Sequence, residues 1–230
     1  MTSYRHESSP SLALIHTVSG LVPVFRDLAE RELPKWTNFA MVDESLLTAT
    51  IRDGVLSELT RERLAGQVQS AVHAGADAIV VTCSTLGGEV DALRAECPVP
   101  LLRIDRGMAE AAVRHGGRIG VLATLHTTLA PTTELIRSTA EAAGLAPRIT
   151  ARLTEGAFSR LAAGDTAGHD TLVAEALAAL ADESDVIVLA QASMARVLAQ
   201  MGDRLGRRPV LTSPELGMAY VRAVLAAQSA

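Results

Sequence analysis

The sequence contains an internal repeat. Three segments of the first half recur in the same order and at nearly the same spacing in the second half: Ala74–Thr85 matches Asp182–Ser193, Leu12–Ser19 matches Ile119–His126, and the Gly-Met-Ala at Gly107 returns at Gly217. One such match could arise by chance between Ala- and Val-rich strands, whereas three in register indicate a duplicated structural unit. The repeat predicts two similar halves, residues 11–112 and 117–225, joined at His115-Gly116-Gly117. The last helix of the second half is a candidate to pack back on the first.

Short apolar runs alternate with Ala-rich stretches of helical pattern along both halves. Runs of this length, bounded by Gly, Pro or Asp, are typical of strands buried on both faces. They are Leu12–Ile15, Phe39–Val42, Ala78–Val81, Pro100–Ile104, Ile119–Leu122, Val186–Leu189 and Pro209–Leu211. The helical candidates between them include Leu59–Ala74, Pro131–Ala143, Asp170–Ala181 and Leu216–Ala227. This alternation predicts an α/β protein in which each half is a parallel sheet flanked by helices.

Composition narrows the class of protein further. Hydrophobic residues make up 48% of the chain, with only three Phe, two Tyr and one Trp, which predicts a globular protein with an aliphatic core. A net charge of −5 argues against nucleic acid or an anionic membrane surface as partner. The apolar runs are too short to span a bilayer, and the polar start MTSYRHESSP lacks a signal-type apolar stretch. We therefore expect a cytoplasmic protein whose two cysteines are reduced.

Polar residues follow the repeated strands at the points where the strands end. Because ligands of open parallel sheets bind beyond the carboxyl ends of the strands, the strand ends of both halves are expected to line one cleft. These ends are rich in hydroxyls and contain no lysine or arginine, so we expect hydroxyls and main-chain amides to bind a small carboxylate. The predicted substrate-binding residues are His16, Ser19, Ser84, Thr85, Thr124, Thr127, Ser193 and Ser213.

Cys83 is the main candidate for chemistry. It follows AIVVT and precedes STLGGEVDAL, a pattern typical of a turn that enters a helix. A thiol at a helix N-terminus faces free amides and the helix dipole, which stabilise the thiolate. The alternative is a small buried hydrophobe, but the hydroxyl residues Thr82, Ser84 and Thr85 around it favour a functional thiol. Cys97, between Glu and Pro, fits the buried role better and is given no function.

Other polar residues have two readings each. His16 could act as an acid or base in the cleft, or it could be a histidine hydrogen-bonded at a strand end. His126 has the same alternatives in a Thr-rich loop. Glu44 could reach the cleft, whereas the simpler interpretation of this segment is a helix cap by Asp43 or Ser45.

The sequence gives no sign of a metal or a cofactor. His73, His115 and His169 are interpreted as solvated, and no Cys/His/carboxylate spacing indicates a metal site. The glycines at Gly116, Gly117 and Gly120 precede their strand rather than follow it, so they are not a dinucleotide fingerprint.

The chain resembles the aspartate/glutamate racemase superfamily over nearly its whole length. The residues that carry the resemblance are Cys83-Ser84-Thr85, the VLAT segment that ends at Thr124, and DVIVLAQASMA from Asp185 onwards. The superfamily includes hydantoin and allantoin racemases, maleate isomerase and arylmalonate decarboxylase. The resemblance implies a cofactor-independent homo-oligomeric enzyme that acts next to the carboxylate of a small organic or amino acid. It also implies that Cys83 is one of the family's two acid–base cysteines and that Thr85 binds the substrate carboxylate.

The chain departs from the family pattern in its second half. The family racemases carry a second cysteine where this sequence has Gln191. Two-base racemisation needs a proton-exchanging group on each face of the α-carbon, and glutamine can only donate or accept hydrogen bonds. We therefore predict an isomerase or epimerase in which Cys83 is the single acid–base or nucleophilic thiol and Gln191 polarises the substrate. A one-cysteine decarboxylase or lyase, and a catalytically silent carboxylate-binding protein, are the alternatives.

Overall fold

The computed structural model describes residues 9–206 and 208–228, which form two α/β halves in succession. The first half contains β1 (Ser11–His16), α1 (Val22–Glu32), β2 (Thr37–Val42), α2 (Glu44–Asp53), α3 (Glu58–His73), β3 (Ala78–Val81), α4 (Gly87–Leu93), β4 (Leu101–Arg103) and α5 (Arg106–His115). The second contains β5 (Arg118–Ala123), α6 (His126–Ala142), β6 (Arg148–Leu153), α7 (Ala157–Ala162), α8 (Thr166–Ala181), β7 (Val186–Leu189), α9 (Leu198–Met201), β8 (Val210–Thr212) and α10 (Ser213–Gln228).

Each half is built on a four-stranded parallel sheet, and the two sheets have the same strand order. The orders are β2-β1-β3-β4 and β6-β5-β7-β8, and every pairing is parallel. The central strands β3 and β7 are buried along their whole length, because their aliphatic runs lie under helices on both faces. The predicted α/β fold of two similar parallel-sheet halves is confirmed.

Strand β6 and the start of helix α6 differ most from the sequence prediction. β6 was not predicted, because RITARL alternates polar and apolar residues and lies at the edge of its sheet, where both faces are only partly covered. Helix α6 begins at His126, five residues before the predicted start at Pro131, so this proline lies inside the helix. Its first turn precedes the hydrophobic periodicity from which the helix was predicted.

The last helix of each half packs on the sheet of the other half. Met218, Val221 and Leu225 of α10 pack with β1, β3 and α1, whereas Met108 and Val113 of α5 pack with β5, β7 and α6. The apolar core therefore runs across the junction between the halves.

Helices α5 and α10 approach each other at their repeated glycines. A Cβ at Gly107 would collide with the carbonyl oxygen of Leu216, and a Cβ at Gly217 would collide with the carbonyl oxygen of Ile104. The glycine of each repeated Gly-Met-Ala therefore lets two backbone segments come into close contact.

The two halves meet at a glycine turn. Gly116 and Gly117 both adopt positive φ values, +64° and +68°, which residues with a side chain rarely adopt. No helix within residues 9–206 and 208–228 has the length and apolar character needed to cross a membrane.

Candidate active site

A cavity of about 460 Å³ lies where the carboxyl ends of the two sheets face each other. Its polar lining includes Cys83, Ser84 and Thr85 from the first half and Gln191, Ser193 and Arg196 from the second. Its apolar lining includes Val18, Leu21, Leu47, Leu125, Phe158 and Leu161. The structure therefore brings residues of both halves together around a single space, which is large enough for a small organic molecule.

Cys83 lies two residues after the end of β3 and directly precedes the 3₁₀ turn Ser84–Leu86, which leads into α4. The residue is 8% exposed. Burial raises the pKa of the thiol, while hydrogen bonds from the hydroxyls of Thr17 and Thr85 and from the amides of Leu86 and Thr85 lower it in part. The turn position alone predicted a stabilised thiolate, but the net pKa of Cys83 is above that of a free thiol because burial outweighs the hydrogen bonds, so the residue is protonated at neutral pH.

The turn that carries these amides rests on a buried arginine. Arg103 of β4 binds Asp105 through Nε and Nη2, at 2.6 and 2.9 Å, and binds Asp91 of α4 through Nη1 at 2.6 Å. Its guanidinium lies against Gly87, the residue that follows the turn, where a side chain would collide with it. Because Gly87 has no side chain, the guanidinium of Arg103 can pack against the end of the turn that follows Cys83.

Gln191 holds the equivalent position in the second half. It follows β7 and precedes the 3₁₀ turn Ala192–Val197. Its Oε1 accepts hydrogen bonds from the backbone N–H of Thr124 at 2.6 Å and from the Thr124 hydroxyl at 2.9 Å. Because a backbone N–H can only donate, the atom that faces it must be the oxygen. The Nε2 amino group is therefore the part of the amide that can donate to a ligand.

The structure places five of the predicted site residues on the cavity: Cys83, Gln191, Ser84, Thr85 and Ser193. The Thr85 hydroxyl is 2.8 Å from the hydroxyl of Thr128, so the two halves are hydrogen-bonded to each other at the cavity wall. The other predicted residues, His16, Ser19, Thr124, Thr127 and Ser213, are not part of its lining. Of these, Thr124 contacts the site through Gln191.

His16 is a buried histidine at a strand end. Its Nδ1 is 2.8 Å from the hydroxyl of Thr82, which itself donates to the carbonyl of Ile15 at 3.1 Å. Burial lowers the pKa of His16 to about 4, so the ring is neutral near pH 7. Of the two readings made from the sequence, the hydrogen-bonded strand-end histidine is the one observed.

Neither His126 nor Glu44 lines the cavity. His126 is exposed and lies outside the cavity. The carboxylate of Glu44 accepts a hydrogen bond from the backbone N–H of Ser19 at 2.8 Å. Asp43 caps α2 by accepting from the N–H of Ser45 at 3.1 Å, as the simpler interpretation of this segment predicted.

Arg196 is a functional candidate that sequence reasoning missed. It lies on the 3₁₀ turn after Gln191 and lines the cavity, so the expectation of a site without arginine is wrong. Its Nε is 3.0 and 3.1 Å from the two oxygens of Asp170, and its Nη2 is 2.8 Å from Oδ1. The sequence prediction concerned only residues at the strand ends, whereas Arg196 lies seven residues after the end of β7.

His169 and Asp170 form the support of this arginine. His169 is fully buried, which corrects its interpretation as solvated, and its Nδ1 is 2.7 Å from Asp170. Burial alone would raise the pKa of Asp170, but the hydrogen bonds from Arg196 and His169 outweigh burial and lower it. Asp170 is therefore ionised beside Arg196. Among the described residues no group of three or more His, Cys, Asp or Glu side chains is arranged to hold a metal ion.

Two repeated parallel sheets with one cavity between their strand ends define a pseudo-symmetric α/β protein that can bind a small molecule between its halves. Residues 20–221 match the family model described as Asp/Glu/Hydantoin racemase, so the chain belongs to this family. The family predicted from the sequence is confirmed. No curated protein sequence matches the chain at a significant level.

Solved structures of related fold include two racemases and a decarboxylase. Allantoin racemase from Klebsiella pneumoniae is 19% identical, with a TM-score of 0.67 over 96% of this chain and 89% of that one. A putative Asp/Glu racemase from Yersinia pestis is 17% identical, with a TM-score of 0.70 over 94% and 98%. A mutant of arylmalonate decarboxylase is 19% identical, with a TM-score of 0.58 over 96% and 95%. At these identities the similarity establishes the fold.

Proposed function

We propose that the protein is a cofactor-independent isomerase that transfers a proton, on one face of the substrate, at the carbon next to the carboxylate of a small organic acid. Cys83 is its single acid–base thiol. The observation that carries the proposal is the pairing of a buried thiol and an amide, Cys83 and Gln191, at equivalent strand ends around one cavity. The names of the related structures, which cover racemases and a decarboxylase, support chemistry of this kind.

The raised pKa of Cys83 makes the thiol a proton donor in the unliganded site. In an isomerisation the thiol first loses its proton to solvent. The thiolate then takes a proton from the substrate carbon as the C–H bond breaks and an enolate forms, and the S–H bond returns this proton to the conjugated enolate on the same face, so that a thiolate remains. The Thr17 hydroxyl and the amides of Thr85 and Leu86 stabilise this thiolate. A proton from the substrate or from solvent restores the thiol before the next turnover.

Gln191 supports the same step from the opposite half. Its Nε2 donates to the enolate or carboxylate oxygen of the substrate, where charge builds up during the reaction. The amide cannot exchange protons at neutral pH, so it does not act as the second base of a symmetric racemase. Proton transfer is therefore confined to the face of the substrate that Cys83 contacts.

A decarboxylase is the second candidate, and the raised pKa of Cys83 favours it. Loss of CO₂ leaves a carbanion that needs one proton on one face, which a protonated thiol supplies without a partner base. The apolar wall formed by Leu47, Leu125, Phe158 and Leu161 suits a substrate whose acid group carries an apolar substituent, in either reaction.

The experiment begins with a substrate. Small mono- and dicarboxylates are screened for thermal stabilisation, since a ligand that binds only the folded protein raises its stability. Compounds that bind are incubated with the protein in D₂O and followed by NMR for deuterium incorporation or loss of CO₂. Cys83→Ser is expected to abolish turnover, because serine is a far poorer acid near neutral pH. Cys97→Ser is the matched control and keeps full activity. More than a small residual activity in Cys83→Ser would overturn the proposal.

A further inference from the structure

Arg196 is the charged residue of the cavity. Among the described residues that line it there is no lysine, histidine, aspartate or glutamate, and the remaining polar groups are hydroxyls, the Cys83 thiol and the Gln191 amide. The side chain of Arg196 is 38% exposed, whereas its partner Asp170 is only 7% exposed. The guanidinium therefore contacts the buried carboxylate of Asp170 and is also partly exposed at the cavity.

Asp170 fixes the orientation of this guanidinium. It accepts from Nε of Arg196, lies 2.8 Å from Nη2 in an ion pair, and also accepts from Nε2 of Gln200 at 3.2 Å. The guanidinium is planar, so binding along the Nε–Nη2 edge fixes the direction of the remaining N–H groups. Nη1 has no hydrogen-bond partner among the described residues. One edge of Arg196 is therefore held by the protein while the other remains available to a ligand.

Several other donors around the cavity are already engaged. The amides of Thr85 and Leu86 interact with the Cys83 sulfur, the Leu86 amide also donates to the Cys83 carbonyl oxygen at 3.1 Å, and the Thr85 hydroxyl is hydrogen-bonded to Thr128. A carboxylate in the cavity therefore finds its strongest free donor in Arg196, a charge-assisted donor, with Nε2 of Gln191 in the same half.

We propose that Arg196, held by Asp170, binds the carboxylate of the ligand, so that the anion site lies in the second half and the thiol in the first. This inference rests on the proposed function only in taking Cys83 as the group that faces the reacting carbon. Arg196 does not exchange protons, and in this proposal it makes the cavity prefer anionic over neutral ligands. Its loss weakens binding of the anion and leaves the thiol intact.

Alkylation of Cys83 tests the proposal without a known substrate. Iodoacetate and iodoacetamide have the same reacting carbon and differ in carrying a carboxylate or a neutral amide. Both transfer their carbon to the thiolate with loss of iodide. The two rates are measured at Cys83 in a Cys97→Ser background by mass spectrometry, and their ratio is compared between variants. We expect Arg196→Gln to lower the iodoacetate-to-iodoacetamide ratio about tenfold or more while the iodoacetamide rate stays unchanged.

The chain offers a matched control. Arg118 binds Asp185 through Nε and Nη2 in the same way, at 3.2 and 2.7 Å, but it does not line the cavity. Arg118→Gln is expected to leave the ratio unchanged. Arg196→Lys keeps a cation beside Asp170 but loses the planar edge, and it serves as the second variant if Arg196→Gln does not fold. Its ratio is also expected to fall. An unchanged ratio in a folded Arg196 variant would overturn the proposal.

Benzoate and benzamide provide a readout that does not need the thiol. In the Cys83→Ser protein, benzoate is expected to raise the melting temperature more than benzamide does, and Arg196→Gln is expected to remove this difference. A protein that neither prefers iodoacetate nor gains stability from benzoate has no anion site at Arg196. If the benzoate result holds but Cys83→Ser still turns over substrate, the proposed function fails and the anion site stands. If Cys83 is essential for turnover but the Arg196 variants keep both preferences, the proposed function stands and the anion site at Arg196 fails.

Discussion

At position 191 a neutral amide lines the same cavity as the buried thiol, and its oxygen accepts hydrogen bonds from the backbone N–H and the hydroxyl of Thr124. Gln191→Ala removes the donor Nε2 from the site. We expect a rate loss of roughly 100- to 1000-fold, as is typical when one donor to a developing oxyanion is lost. The pH dependence contributed by Cys83 is expected to remain. Steady-state kinetics across pH check this, with Gln69→Ala on the exposed face of α3 as control.

Gln191→Cys tests whether the substrate is open to proton exchange from its second face. The change gives each half one thiol at equivalent strand ends, an arrangement that supports removal of a proton on one side and its return on the other. We expect deuterium exchange with inversion of a chiral 2-substituted acid in this variant and exchange without inversion in the parent. NMR with chiral analysis of the recovered acid measures both. Full racemisation by the parent protein would show that another residue serves as a second base.

Burial of His16 makes the stability of the folded protein depend on pH. Its pKa is about 4 in the folded protein and about 6.5 in the unfolded chain, so between these values the unfolded chain binds more protons. The stability that His16 contributes is complete above pH 6.5 and is lost as the pH falls towards 4. His16→Leu, which cannot titrate, is expected to lose about 2 kcal/mol less than the parent between pH 7 and 4.5. Urea unfolding at the two pH values checks this, and equal losses would contradict it.

The residues of the site differ in how far the sequence could predict them. Cys83 and Gln191 follow the two most apolar strands of the repeat, so the position of both is determined by the strand pattern. Arg196 and His169 are brought together by the packing of α8 against the turn after β7. No local pattern identifies a side chain whose partner lies on a different element, which is why a buried histidine was read as solvated.

The crossing of α5 and α10 depends on glycine. At Gly217 an added Cβ collides with the Ile104 carbonyl, a backbone atom that cannot move aside cheaply. Gly217→Ala is expected to destabilise the protein by about 1–3 kcal/mol through overpacking. Gly66→Ala in the middle of α3 meets no atom within 4 Å and is expected to be neutral or slightly stabilising, because alanine favours helix. Thermal unfolding of both variants measures the contrast, and equal stabilities would contradict the crossing.

Elements with a continuous pattern were predicted well. β3 and β7 agree with the predicted bounds residue for residue, because a short run rich in β-branched aliphatic residues is typical of a strand that is buried on both faces. The edge strand β6 has no such run, and its pairing with β5 depends on main-chain hydrogen bonds that any residue can make.

The exchange of last helices makes the two halves interdependent. A fragment of residues 1–116 lacks α10, so the face formed by Leu12, Leu14 and Phe25 loses its cover. We expect this fragment alone to be unfolded by circular dichroism and NMR, and to form native-like structure when mixed with residues 117–230. The whole chain is expected to unfold in one transition, with equal calorimetric and van't Hoff enthalpies. A fragment that folds by itself, or two separate transitions, would contradict this interdependence.

The helix exchange also bears on how such a molecule can arise from a smaller one. A free-standing copy of one half would carry a final helix that, in this topology, reaches away from its own sheet. Two identical copies could cover each other's sheets by trading these helices, which is a domain-swapped pair. When the two copies are joined through a short glycine turn, the helix exchange becomes intramolecular. The sequence of each copy can then diverge independently. The thiol at one strand end and the amide at the other are the kind of divergence that such a fusion permits.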